Sequence, residues 1–135
     1  MSEYNFEVAV RFSDLDAYNH VNNANYFRYF EDTRLNFFLE NNKPLAWIQD
    51  NNLHLVIAEQ SCKYKVPVLH PNTLIITQKI IKVSTSSIDF EYNVCKKGDN
   101  KICTTATAKL VPFDTQKQKI FKIIPKIKQM FLSFQ

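Results

Sequence analysis

At 135 residues, with 45% hydrophobic side chains, the chain has the size of one domain and can bury a continuous core. Its single glycine, Gly98, leaves no glycine-rich loop to cradle a dinucleotide or a nucleoside triphosphate, and a formal net charge of +4, thinly spread apart from a modest lysine concentration over residues 117–128, excludes a nucleic-acid-binding stripe. Three cysteines without C-x-x-C spacing suggest neither a disulfide framework nor a zinc site, and no segment approaches the ~20 apolar residues of a membrane span, so a single cytoplasmic domain over residues 1–135 is expected.

Residues 6–12 alternate, Phe6, Val8, Val10 and Phe12 on one face against Glu7, Ala9 and Arg11, which is the period of a half-buried strand. A polar stretch over residues 13–23 interrupts it. From about residue 23 to residue 40 the period becomes helical: Tyr26, Phe27, Tyr29, Phe30, Phe37 and Phe38 share one broad arc, and Arg28, Asp32 and Asn36 lie opposite. At this spacing the aromatic face is core rather than a stacking platform for a ligand. Arg34 falls within the aromatic arc, where a buried cation needs a partner such as Glu59 or Asp14.

An Asn-rich loop containing Pro44 follows, and then four strands, residues 53–66, 73–83, 88–96 and 102–112, rich in β-branched and aromatic side chains. Lys97-Gly98-Asp99-Asn100 joins the last two as a hairpin turn, and residues 123–134, with Pro125 near their start, predict a short C-terminal helix. Five antiparallel strands wrapped around one long central helix satisfy the burial needs of both elements, giving an α+β architecture.

The chemistry concentrates between the first strand and the helix, in Arg11-Phe12-Ser13-Asp14-Leu15-Asp16-Ala17-Tyr18-Asn19-His20-Val21-Asn22-Asn23-Ala24-Asn25-Tyr26. Two carboxylates, a histidine and several carboxamides precede a helix N-terminus, whose first N–H groups lack intrahelical partners and whose dipole is positive, so a carbonyl aimed there is polarised. Asp14 reads as structural, capping the turn or pairing with Arg11, and Asn22, Asn23 and Asn25 as helix-entry residues. Glu59 stands in the middle of an otherwise apolar strand, where a carboxylate is costly unless paired or functional. His54 and His70 lack the neighbours of a metal site.

The spacing Arg-x-x-Asp-x-Asp-x-x-x-His-Val-Asn-Asn-x-x-Tyr, beginning at Arg11, resembles the hot-dog-fold acyl thioesterase superfamily, in particular its 4-hydroxybenzoyl-CoA thioesterase-like branch and the plant-type acyl-carrier-protein thioesterases. Tyr64 with Pro67 resembles that family's Tyr-x-x-Pro segment. The resemblance implies a hot-dog fold and hydrolysis of an acyl-CoA or acyl-carrier-protein thioester without metal or organic cofactor. Asp16 matches the family's general base or nucleophile, the backbone N–H of Asn23 the carbonyl-polarising group, and His20 a histidine that the plant-type enzymes use beside the aspartate. Where those relatives carry an asparagine two residues after the aspartate this chain has Tyr18, a departure from their Asp-Asn-His trio. Tyr18, Asn22, Tyr26 and Glu59 are candidates for substrate binding.

The resemblance further implies a homodimer or homotetramer whose sites form between subunits, and the abundance of Phe, Leu and Ile favours an aliphatic acyl chain of medium to long length. A hot-dog hydratase or dehydratase fits less well, because Asp16 and His20 stand one residue too close for that group's Asp-x-x-x-x-His pair. A hot-dog module that binds acyl thioesters without turnover is the non-enzymatic reading.

Overall fold

The computed structural model describes residues 3–134. In chain order it contains β1 (Tyr4–Ala9), a 3-10 turn (Phe12–Asp14), α1 (Asn23–Leu39), α2 (Asn42–Asp50), β2 (Leu53–Tyr64), β3 (Thr73–Val83), β4 (Ile88–Lys96), β5 (Ile102–Asp114), the two-residue β6 (Lys119–Ile120) and α3 (Pro125–Leu132). The five long strands form one antiparallel sheet in the order β1-β3-β4-β5-β2, with β6 added to β5. This is the curled sheet around a central helix expected of a hot-dog fold.

Alternation along each strand decides which side chains meet the helix. In β4, Ile88, Phe90, Tyr92 and Val94 are buried, while Asp89, Glu91 and Asn93 point to the other face. The Phe30 ring of α1 stacks on Tyr92 at 4.8 Å, and Tyr92 is in turn stacked beside Phe90 at 6.4 Å. The aromatic arc read from the sequence is therefore core: Tyr26, Tyr29, Phe30, Phe37 and Phe38 are all buried, and Phe27 is half-buried. The outer face is polar and laced with exposed ion pairs, Lys79 to Glu3 and Lys97 to Glu7.

Three elements depart from the sequence expectations. Phe12 is not on the inner face of the first strand; it lies in the 3-10 turn, 69% exposed, against the His70 ring. The strand ends early because the Asp14 carboxylate accepts the Arg11 N–H at 3.0 Å while the Asp14 N–H donates to the Arg11 carbonyl, closing a turn where the alternation pointed to more strand. The loop around Pro44 is α2. Proline is tolerated in a first turn, where its missing N–H has no intrahelical partner, and Pro44 and Trp47 are buried one turn apart. Trp47 meets Phe131 of α3 edge to face at 5.4 Å, and Phe131 is fully buried between it and Phe38. The third departure is β6, too short to leave a pattern.

Two consequences of this layout bear on the site. The carboxamide of Asn22 accepts the Ala24 N–H at 2.9 Å and starts α1 at the edge of the sheet. The 12-residue β2 pairs on one side only, with β5, so its other edge presents unpaired backbone groups, flanked by Val56 at 47% and Ile57 at 38% exposure.

Candidate active site

Asp14 organises the connection between β1 and α1. It is 2% exposed, and its Oδ2 accepts the Tyr29 hydroxyl at 2.8 Å as well as the Arg11 N–H. The exposed Arg11 guanidinium stands 3.6 Å from Oδ1, which is the pairing anticipated from the sequence. The Asp14 backbone carbonyl accepts both the Asn22 N–H and the Asn25 side-chain amide, each at 2.8 Å. One residue thereby ties the end of β1, the far end of the loop and the first turn of α1 together. Burial pushes the Asp14 carboxyl up, but the Arg11 N–H, the Tyr29 hydroxyl and the charges of Arg11 and Arg28 outweigh it, leaving its pKa below the usual carboxylate range.

Leu15 and Val21 then bridge antiparallel, and residues 16–20 form a tight loop between them. Asp16 closes that loop on itself. Its N–H donates to the His20 carbonyl at 2.8 Å, and its Oδ1 accepts the N–H groups of Tyr18 at 2.8 Å and His20 at 3.2 Å. Asn19 takes a left-handed conformation, φ 64°, which asparagine tolerates better than most residues. Asp16 is half-buried, and among the described residues its Oδ2 accepts no hydrogen bond, so one carboxylate oxygen holds the loop and the other is unengaged.

The remaining candidates fall around the start of α1. Asn22 is its N-cap. Asn23 is the first helical residue and exposed; among the described residues its N–H has no acceptor, while its side chain accepts the Ala24 N–H at 3.1 Å. His20 is half-buried, its backbone engaged with Asp16, and Tyr18 is 80% exposed, offering its N–H rather than its ring to the loop. Tyr26 is buried, with its ring 5.9 Å from Tyr29 and 5.4 Å from Tyr64. The end of β2 completes the neighbourhood: the Tyr64 hydroxyl donates to the Asn23 carbonyl at 3.2 Å, and the Val21 N–H donates to the Val68 carbonyl. Tyr64, whose hydroxyl pKa is pushed up to about 12 by burial and by Cys62, was visible in the sequence only through its spacing to Pro67.

Two expectations about charged residues require correction. Glu59 is not a buried carboxylate: a register shift between Ile57 and Glu59 turns it to the polar outer face, where it is 75% exposed and 3.7 Å from Lys109. The solvation penalty that singled it out is absent, and it lies on the side of the sheet away from α1. Arg34 is buried as expected but pairs with neither Glu59 nor Asp14. Its Nη1 donates to the Tyr92 hydroxyl at 3.2 Å, and Tyr92 donates onward to Gln78 at 2.9 Å.

The sequence pattern of the thioesterase-like superfamily matches residues 10–131, a span that includes the whole loop and helix entry just described. The chain belongs to this superfamily. The long-chain acyl-CoA thioesterase FadM of Escherichia coli is 24% identical over 123 residues, 91% of this chain and 92% of that protein. Among solved structures, Escherichia coli YbaW superposes with a TM-score of 0.88 at 23% identity, covering 97% of this chain and 98% of YbaW. The Staphylococcus aureus protein SAV2348, determined in complex with CoA, superposes with a TM-score of 0.86 at 14% identity, over 98% of this chain and 84% of its own. At such identities the superpositions establish the thioesterase-like fold. Among the described residues no helix is long and apolar enough to cross a membrane, and no group of three His, Cys, Asp or Glu side chains is placed to hold a metal ion.

Asp14→Asn is expected to lower folding stability by about 1–3 kcal/mol at neutral pH, since it weakens a buried, charge-assisted network. Because the folded-state pKa of Asp14 is depressed, its contribution is present above the ordinary carboxylate pKa and is lost as pH falls from there through the folded value. Urea unfolding of both proteins at a series of pH values should show the gap between them narrowing below about pH 4.

Proposed function

We propose that this thioesterase-like protein hydrolyses an aliphatic acyl thioester of coenzyme A or acyl carrier protein to the free acid and thiol. The observation that carries the proposal is the pairing of an unengaged N–H at Asn23, on the positive end of α1, with an Asp16 carboxylate whose second oxygen is free. In this reading the Asn23 N–H donates to the thioester carbonyl, whose oxygen becomes a stronger acceptor as the oxyanion forms, and the helix dipole adds to the stabilisation. Asp16 takes a proton from the attacking water, or attacks the carbonyl itself to give a mixed anhydride that water then cleaves; the thiolate leaves in either route. His20 steadies Asp16 through its backbone, and Tyr18, Asn22 and Tyr26 border the bound acyl thioester. Glu59, on the outer face and paired with Lys109, has no part in the cleavage proposed for this site. The names of relatives support the reaction class, FadM as an acyl-CoA thioesterase and SAV2348 as a CoA complex.

Residues 1–135 are taken as one catalytic domain, working in the cytoplasm, in keeping with three free cysteines. The site lies on the surface of the single chain, and two depressions of about 340 Å³ each are not lined by Asp16, His20 or Asn23. A homodimer formed through the open edge of β2, singly or paired into a tetramer, would enclose it. Light scattering at micromolar concentration is expected to give at least about twice the 15.8 kDa chain mass, and a monomer would remove this part of the proposal.

Thiol release from a panel of short, long and aromatic acyl-CoA substrates tests the function directly, with aliphatic chains of medium to long length expected to turn over fastest. Saturable binding without turnover of any substrate would mark a binding module instead. Asp16→Asn, which keeps an oxygen for the Tyr18 and His20 N–H groups, is expected to lower kcat by about 10²–10⁴-fold with the thermal midpoint and substrate binding nearly unchanged. A folded variant with wild-type turnover would sink the mechanism.

A further inference from the structure

The lysine concentration over residues 117–128 takes no part in the chemistry described above. Residues 115–135 contain five lysines, no arginine and no aspartate or glutamate, so they hold more than the whole formal net charge of +4, and residues 1–114 are close to neutral. The fold gathers this charge at one end of the sheet. Ile120 and Lys119 of β6 pair with Phe113 and Asp114 at the end of β5, on the side of β5 away from β2. From there the chain crosses to the turn between β3 and β4, where the Ile123 N–H donates to the Thr85 carbonyl at 2.8 Å, and enters α3, which the buried Phe131 anchors in the core. Lys117, Lys119, Lys122, Lys126 and Lys128 are all exposed, and among the described residues none of them forms an ion pair. Asp114, the acid nearest to them in sequence, is 7% exposed and folded into its own turn, where one oxygen accepts the Gln116 and Lys117 N–H groups. Between the lysines stand two apolar side chains, Ile120 at 55% and Ile124 at 49% exposure.

We propose that this strip of lysine and isoleucine attaches the protein peripherally to a membrane surface rich in anionic phospholipid. A one-signed set of charges with no partner in its own chain is complemented by a negative surface outside it. All five cations are lysines, and an ammonium on a flexible stem is a point charge without a preferred partner geometry, which suits headgroups that move laterally. A site for one defined carboxylate or phosphate favours the planar fork of arginine instead. Each lysine held near an anionic leaflet strengthens attachment by about fivefold. Ile120 and Ile124 add apolar area that enters the boundary between headgroups and acyl chains, while the lysine stems reach back to the phosphates. This is attachment and not spanning, since no described helix is long and apolar enough to cross a membrane. An association through the open edge of β2 leaves the strip uncovered, because β6 lies on the far side of β5 from that edge. None of these residues belongs to the Asp16 loop or to the entry of α1, so the proposal is independent of the hydrolytic reading.

The test is co-sedimentation of the full-length protein with vesicles of phosphatidylcholine alone and of phosphatidylcholine with about one-third phosphatidylglycerol, at about 0.05 M and about 0.5 M salt. Binding to the anionic vesicles at the lower salt is expected, at least about tenfold tighter than to the neutral vesicles and than at the higher salt. Lys119→Gln, Lys122→Gln and Lys126→Gln combined should weaken it by about 100-fold. Ile120→Ser with Ile124→Ser should weaken it by about tenfold, which separates insertion from charge alone. All five positions are exposed, so the thermal midpoints of both variants should stay at the wild-type value. Equal binding to neutral and anionic vesicles would overturn the proposal, as would anionic binding that survives the triple lysine substitution. So would an absence of vesicle binding at the lower salt; binding to an unacylated acyl carrier protein that the triple substitution removes would then assign the strip to an acidic protein.

Discussion

The buried carboxylate of Asp14 is the interaction on which the candidate site depends. It lies between an exposed arginine and a buried tyrosine, and its own backbone carbonyl receives two amides from the start of α1. A carboxylate in that position must be fully engaged to remain ionised, and engagement with groups on three separate segments fixes those segments relative to one another. The loop that carries Asp16 hangs from this point. Its short bridge between Leu15 and Val21, and its internal hydrogen bonds through Asp16 Oδ1, leave little freedom to the loop that leads into α1. Preorganisation of this kind allows a helix N-terminus and a carboxylate to act without rearranging as charge develops.

Behind the site, the aromatic core sets where α1 can lie. Phe30 stacked on Tyr92 holds the middle of the helix against the sheet, and the edge-to-face cluster of Phe38, Trp47 and Phe131 holds its C-terminal end against α2 and α3. The Tyr64 hydroxyl on the Asn23 carbonyl then joins the first turn of the helix to the last residue of β2. The end of β2 and the entry of α1 are consequently parts of one region.

The same core contains a polar chain that the fold does not close off. Gln78, Tyr92 and Arg34 run in hydrogen-bonded sequence from β3 through β4 to α1, and the chain ends on a cation instead of an ion pair. Buried polar chains are usually satisfied at both ends. Here Arg34 also borders a groove that it shares with Glu31, His54 and apolar side chains of α1, α2 and β2.

Local patterning was enough to reveal the strands, the long helix and the helix-entry loop, because each rests on short-range rules: period-two alternation in Ile88–Lys96, helical spacing of the aromatics in α1, and carboxamides before a helix. Asp16 and Asn23 could be singled out as candidates because their surroundings are local to one loop and one helix end. Phe12 could not be read correctly, since the turn that removes it from the sheet is closed by the Asp14 carboxylate rather than by any breaker residue. The α2 helix was hidden because Asn and Pro at its start resemble a loop, and its reason to form is the burial of Trp47 against Phe131, more than eighty residues away. Glu59 and Arg34 were placed only by tertiary structure. A single register shift decides which face of β2 a carboxylate occupies, and the partner of a buried cation depends on which strand lies beneath it, so neither is encoded in the spacing of neighbouring residues.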